Sequence, residues 1–474
     1  MSRISFLHDM LASVFARGDS SDTSHEAGSF TELADALLSE RGEMSGNRLA
    51  RGILGRFEAA GVEERLAFFE LLATRFDINA AHALRAAERY AEEPSAMRLA
   101  ILGEAVEPGR LELLRRLNRA PGATVRLVRM REALLGLVPE HPDLARIDLD
   151  FRHLFRSWFN RGFLVLREID WSTPANILEK IIAYEAVHEI ESWAALRARL
   201  EPSDRRCFAF FHPAMPDEPL IFVEVALTRS SPSTVREVLW PDRLILEAEE
   251  VDTAVFYSIS NCQKGLAGVS FGNFLIKQVA SELSRELPQL NTFRTLSPIP
   301  GFMRWVNARA EALDEASSEG AAVPADGERI GVGGADHEKA EADTVPLDDE
   351  LRETLALARR VAESEELVID EDEQRRLRRL VAHYLAREKR SDGQPLDPVA
   401  RFHLGNGASL DDVLPGADVF RKALAQSAGA MVSYLYDLDR IEANHEVYAG
   451  SREVVLSDGL GSFLGPRRSP RKRA

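Results

Sequence analysis

Two cysteines, Cys207 and Cys262, in 474 residues leave no material for a disulfide framework or a thiolate zinc cage. No apolar run approaches the roughly 20 residues that span a bilayer. The amphipathic start (residues 1–17) carries His8 and Asp9 where a signal peptide needs its apolar stretch. A reducing, cytoplasmic setting is therefore expected. Positive charge is also short: 59 Lys and Arg stand against 76 Asp and Glu, a net charge of −17. Such a chain cannot neutralise a nucleic-acid backbone overall, although a local cationic pocket for a small anion stays open. Its basic cluster lies in the tail, Arg467 to Arg473, and residues 466–474 read as a disordered, solvated end. No histidine pairs with Asp, Glu or Cys at a metal-ligand spacing, which argues against a metal site.

What is present is an ordinary globular composition, 45% hydrophobic and 28% charged, in a chain too long for one core. Two domains are expected. Residues 1–160 form a helical bundle in this reading, with apolar residues at three- and four-residue spacing over 49–60, 62–76, 80–91, 110–118 and 125–137. Residues 161–474 mix periods. Strands are expected at 162–166, 207–211, 220–227, 253–260 and 453–456, and helices at 175–185, 351–364, 370–388 and 419–434. The fold class is thus α+β: an all-α N-terminal bundle, then an α/β domain around a central sheet. Between 315 and 349 the sequence turns to Ala, Gly, Glu, Asp and Ser, which cannot bury enough apolar area to offset the entropy of ordering. It reads as a disordered insertion.

The chemistry concentrates in residues 251–302. A β-branched and aromatic run is followed by a loop with Gly265, Gly268 and Gly272, then by a helical pattern, then by Leu296-Ser-Pro-Ile-Pro-Gly-Phe302. Strand, glycine loop and helix turn backbone N–H groups toward a phosphate. The spacing is neither G-x-x-x-x-G-K-[ST] nor G-x-G-x-x-G, and no lysine directly follows the last glycine. Ser297 is held before Pro298 and Pro300, either to present its hydroxyl or as a turn serine bonding its own backbone. His403 approaches the Gly405-Asn-Gly407 turn, as a structural hydrogen-bonder or a proton donor. Tyr434 and Tyr436 read as core, Glu224 as a buried or outward carboxylate, and Cys262 as a small buried residue rather than a catalytic thiol.

Several blocks together resemble malonyl-CoA decarboxylases. They are Cys207-Phe-Ala-Phe-Phe-His-Pro-Ala-Met-Pro, Phe256-Tyr-Ser-Ile-Ser260, Gly265-Leu-Ala-Gly-Val269, Leu296-Ser-Pro-Ile-Pro-Gly-Phe302 and Phe402-His-Leu-Gly-Asn-Gly-Ala408. The resemblance covers roughly residues 151–451 in motif order. It implies a helical oligomerisation domain, a catalytic domain of N-acetyltransferase-like (GNAT) fold, and a homotetramer. It further implies that Ala267, Gly268, Val269, Ser270, Phe271, Gly272 and Asn273 contact the CoA moiety of the substrate malonyl-CoA. Ser297 would be proton acceptor, His403 proton donor and Tyr436 a supporting residue, with no metal or organic cofactor. The acidic 315–349 segment looks longer than the family's usual connection, and the chain lacks a Ser-Lys-Leu ending, which favours a bacterial form. On this reading Ser297 holds the carboxylate or thioester oxygen, and His403, titrating near neutral pH, protonates the carbanion. An acyl-CoA-dependent N-acyltransferase and a non-catalytic acyl-CoA sensor are the alternatives.

Overall fold

The computed structural model describes residues 28–39, 43–269, 271, 275–320 and 345–464. Ser270, Gly272 and Asn273 of the glycine loop, residues 321–344 of the acidic segment and the 466–474 tail lie outside them. Packing divides the chain into two units, Met1–Asn160 with Gln263–Ser270, and Arg161–Cys262 with Phe271–Ala474.

The first unit is helical among its described residues: α1 Phe30–Leu38, α2 Glu43–Ala59, α3 Val62–Thr74, α4 Ala80–Glu92, α5 Ala96–Val106, α6 Gly109–Leu117, α7 Ala123–Leu137 and α8 Ala145–Trp158. Side-chain caps explain several starts. Ser29 and Glu32 form a capping box on α1, and the Asn79 and Ser95 side chains accept backbone N–H groups at the starts of α4 and α5. The core is aromatic and leucine-rich. Phe57 meets Phe68 and Phe69 edge-on at ring centroids of 5.6 and 5.4 Å, and α8 buries Ile147, Phe151, Leu154 and Phe155. Residues 263–270 join this unit although the sequence reading places them with the second.

The second unit carries a seven-stranded sheet in the order β1-β2-β3-β4-β5-β7-β6. The strands are β1 Val165–Glu168, β2 Arg205–Phe211, β3 Ile221–Thr228, β4 Thr253–Asn261, β5 Thr292–Thr295, β6 Ser409–Leu414 and β7 Met431–Leu435. β1 to β4 pair antiparallel, with a register shift at Glu224/Val225. β4 and β5 pair parallel from Thr253↔Thr292 to Phe256↔Thr295, across the helix α12 Leu275–Glu286. The helices α9 Ala175–Tyr184 and α10 Trp193–Leu200 cover Cys207, Ala209, Phe211 and Phe222, the residues that strand alternation sends to one face. The short helix α11 Val235–Leu239 packs Val235 and Val238 with Val255, Tyr257, Leu296 and Met431.

The remaining helices are α13 Phe302–Gly320, α14 Val345–Glu363, α15 Glu371–Arg387, α16 Pro398–Gly405, α17 Arg421–Ser427, α18 Ile441–Ser451 and α19 Asp458–Leu464. Three sequence expectations are corrected. α13 and α14 reach into both ends of the 315–349 segment, whose flanks Ala316-Ser-Ser-Glu319 and Pro346-Leu-Asp-Asp349 are compatible with helix. The helix expected over 419–434 breaks: Ala428 and Gly429 take left-handed φ of 51° and 71°, and β7 follows. Its Met-Val-Ser-Tyr-Leu run is buried and β-favouring, and an apolar run of that length reads equally as helix or strand. The strand expected at 453–456 is reduced to a single bridge between Leu456 and Leu410. Among the described residues no helix is long and apolar enough to cross a membrane.

Candidate active site

Thr295 closes β5, and the chain continues extended through Ser297. The Ser297 N–H donates to the Val432 carbonyl at 2.9 Å and Val432 returns the bond at 3.0 Å. The serine backbone is thereby pinned to β7, just before Pro298 and Pro300 stiffen the turn into α13. Alternation places Leu296 in the apolar cluster with Tyr257 and Met431, which turns Thr295 and Ser297 to the opposite face.

His403 comes from α16. Asp397 caps that helix, accepting from the Val399 and Ala400 N–H groups at 2.9 Å each, and Pro398 occupies its first turn. Asn406 ends it, and its Oδ1 accepts from the Leu275 N–H at 3.2 Å, tying α16 to the start of α12. Gly407 then turns away with φ of +85°.

These elements bring together residues 106 positions apart. Ser297 Oγ lies 3.1 Å from His403 Nε2, and His403 Nδ1 lies 2.8 Å from the Tyr436 hydroxyl. The Ser297 hydroxyl donates to Thr295 Oγ1 at 2.9 Å, and the Tyr434 N–H donates to the same oxygen at 3.1 Å. The Tyr434 ring stacks on His403, with centroids 4.5 Å apart and planes 21° apart. Ser297 and His403 are 5% and 2% exposed.

Counting protons orders the chain. Ser297 has one hydroxyl proton and gives it to Thr295, so the contact with His403 is donated by Nε2–H. Nδ1 is then the acceptor for the Tyr436 O–H. Donation runs from Tyr436 through His403 and Ser297 to Thr295. Burial pushes the His403 imidazole down to about 3, and pushes the Tyr436 phenol well above its usual range. The expectation that His403 titrates near neutrality is thereby corrected, because a ring with no carboxylate partner and no solvent stays neutral.

The glycine loop is built in the first unit. Gly265 sits where a Cβ would lie 1.9 Å from the Val128 carbonyl oxygen, so only glycine fits. Arg131, itself buried, donates to the Gly265 carbonyl at 2.7 Å and to Asp148 at 2.7 Å. Gly268 has φ of +71° and is exposed with Ala267, while Val269 and Phe271 are buried.

The other candidates separate from the Ser297–His403 pair. Glu224 is fully buried and accepts from Arg199 at 2.9 Å; burial, opposed by Arg199, raises its carboxyl to about 7. Cys207 and Cys262 are free, buried and pushed well above the usual thiol range by burial, which disfavours the thiolate form. A cavity of about 520 Å³ is lined by His188, Arg199, Pro298, Pro300, Lys422 and Met431 among others, and borders neither Ser297 nor His403. Among the described residues no three His, Cys, Asp or Glu side chains gather as a metal-ligating set. Thr295 is absent from the sequence reading, although its place two residues before Ser297 in a strand is a usable signal. The core reading of Tyr434 leaves out its stacking on His403, whereas Tyr436, buried as core, also meets His403 where the resemblance implies a supporting residue.

Two family models match the chain. Residues 76–159 match the model of the malonyl-CoA decarboxylase N-terminal domain, and residues 162–474 match that of the C-terminal domain. The chain belongs to the malonyl-CoA decarboxylase family. The mitochondrial malonyl-CoA decarboxylase of Anser anser anser is 35% identical over 363 residues, covering 74% of this chain and 68% of that protein. The Rattus norvegicus protein is 33% identical, covering 76% and 72%. Among solved structures, malonyl-CoA decarboxylase from Agrobacterium vitis is 47% identical with a TM-score of 0.78, covering 93% of this chain and all of that one. The Rhodopseudomonas palustris structure is 46% identical with a TM-score of 0.77, covering 91% and 98%. Family membership makes the chain a carboxy-lyase, and the Ser297–His403 contact is a buried pair within the matched C-terminal domain.

Proposed function

We propose that Ser297 and His403 carry out malonyl-CoA decarboxylation in this chain, with Tyr436 relaying a proton and the 267–273 loop holding the CoA pyrophosphate. The observation that carries the reading is the buried line Tyr436–His403–Ser297, with contacts of 2.8 and 3.1 Å. Loss of CO2 leaves an electron pair on the α-carbon, spread into the thioester as an enolate. A desolvated carboxylate held perpendicular to the thioester plane loses CO2 most readily. The Ser297 hydroxyl turns from Thr295 to the developing oxyanion, a contribution of roughly 3–4 kcal/mol for one well-placed donor.

Protonation uses the neutral imidazole. The Nε2–H bond breaks as the α-carbon–H bond forms, and Nδ1 takes the Tyr436 hydroxyl proton as the O–H bond breaks. The negative charge passes to the Tyr436 oxygen, where burial disfavours it, so this phenolate is short-lived and takes a proton from water that enters as the product leaves. His403 never becomes a cation, in keeping with the burial that lowers its basicity. The scheme needs no metal or organic cofactor, and CoA is part of the substrate.

The GNAT-like reading of the catalytic domain is supported by the antiparallel β1–β4 run, the parallel β4–α12–β5 crossover and the extension of β4 to Asn261 past its last β5 pair at Phe256. Exposed Leu84, Met97, Leu99 and Ile101 on α4 and α5 support an oligomer contact through the helical region, a homotetramer by family resemblance.

The test is CO2 release from malonyl-CoA with no acyl acceptor added. Wild type releases CO2, while Ser297→Ala and His403→Asn lose on the order of a hundredfold or more in kcat. Near-native rates in both variants would remove the assignment.

A further inference from the structure

A pyrophosphate needs fixed positive charge as well as glycine. The glycine loop itself offers only Lys264, an exposed side chain. The first unit supplies another cation. Arg152, on α8, lies broadside to Gly268: its Nε, Cζ and Nη2 are 3.9, 4.0 and 3.9 Å from where a Cβ on Gly268 would stand.

Several arginines of the first unit are already held by carboxylates. Arg110 is held by Asp77 and Asp150, Arg126 by Glu58, Arg131 by Asp148 and Arg146 by Asp77. Arg152 has no carboxylate partner among the described residues, and its Nε is buried without any hydrogen-bond acceptor. A buried guanidinium donor left unpaired is costly, so such a group is kept for an acceptor that arrives later. The loop also keeps a donor for that acceptor. Leu266, Ala267 and Val269 spend their N–H groups on Gln263, Lys264 and Leu266 carbonyls, whereas the Gly268 N–H is not among the loop's internal bonds.

We propose that Arg152 is a phosphate-binding residue for acyl-CoA, its Nε–H donating to a non-bridging pyrophosphate oxygen that meets the Gly268 N–H. This rests on the reading that the 267–273 loop holds the CoA pyrophosphate. It gives the helical unit a direct part in substrate selection: α8 recognises the nucleotide end and sets a preference for acyl-CoA over an acyl-pantetheine that lacks pyrophosphate. A lysine reproduces only the positive charge, because the donating nitrogen is the one inside the guanidinium stem.

The experiment compares kcat and KM for malonyl-CoA and malonyl-pantetheine in wild type, Arg152→Ala and Arg152→Lys, with folding checked by thermal melts. Should Arg152→Ala fail to fold, Arg152→Gln carries the same comparison. The expected result is a wild type that prefers malonyl-CoA. Arg152→Ala then raises KM for malonyl-CoA roughly ten- to a hundredfold at little-changed kcat, and leaves malonyl-pantetheine unaffected. Arg152→Lys recovers part of the loss. A variant that keeps the wild-type preference, or that loses both substrates equally, overturns the role of Arg152 alone. A wild type indifferent to the two substrates overturns the loop reading and Arg152 with it.

Discussion

At the scale of single residues, the proposed relay through a buried neutral histidine makes a definite prediction about pH. An imidazolium donor with an ordinary pKa near 6.5 loses its proton as pH rises through that value, and activity would fall with it. His403 is instead held at about 3 by burial, so over pH 6 to 8 it is already in the form that donates from Nε2. We expect kcat/KM for malonyl-CoA to be flat from about pH 6 to 8. A loss of about tenfold per unit above 6.5 would show a cationic donor and defeat the relay. The residue types here are legible: a serine between prolines and a histidine before Gly-Asn-Gly stand out in the sequence. Their pairing is not, because nothing in the local spacing joins positions 106 apart. The depressed basicity is hidden for the same reason, since it comes from the Tyr434 ring and the surrounding fold rather than from neighbours in the chain.

At the scale of elements, the site depends on how α16 is anchored at both ends. Gly407 is its stop. A Cβ there would lie 2.2 Å from the Ile441 carbonyl oxygen, and its φ of +85° is a conformation that side chains resist. Gly407→Ala must push α16 away from α18, and should cost at least ~2 kcal/mol of stability together with most activity. Differential scanning calorimetry with the CO2-release assay checks both, and a variant with native melting and native kcat would contradict it. Elements with strong period or strong caps are readable: α3, α4, α9 and β2 to β4 fall close to their expected spans. β7 is misread because Val432 and Tyr434 are buried within an apolar run that suits either period, and only pairing with β5 and β6 decides it. β5 and β6 escape notice because each is short and carries charge, as in Thr292-Phe-Arg-Thr295 and Ser409-Leu-Asp-Asp-Val-Leu414.

At the scale of the whole molecule, a chain of net charge −17 handles a polyanionic ligand only through local cations, which is why one unpaired arginine carries weight. The glycine loop takes its shape from Val128 and Arg131 in the first unit. A fragment of residues 161–474 therefore lacks the groups that form it. We expect that fragment to bind CoA at least about tenfold more weakly than the full chain, measured by calorimetry, even where its far-ultraviolet spectrum stays mixed α/β. Equal affinity would mean that the loop holds its shape unaided.

The return of residues 263–270 to the helical unit also bears on biosynthesis. A ribosome emits a chain from its N-terminus at about 5–20 residues per second. The helices of the first unit are all present once residue 160 has emerged, yet the piece that occupies the space beside Val128 and Arg131 emerges about a hundred residues later. For roughly 5–20 s the nascent helical unit is short of one component, and the second unit is being made through the gap. Assembly of the two units is therefore interleaved in time, and slowing translation between 160 and 270 prolongs the exposure of an unfinished surface on the first.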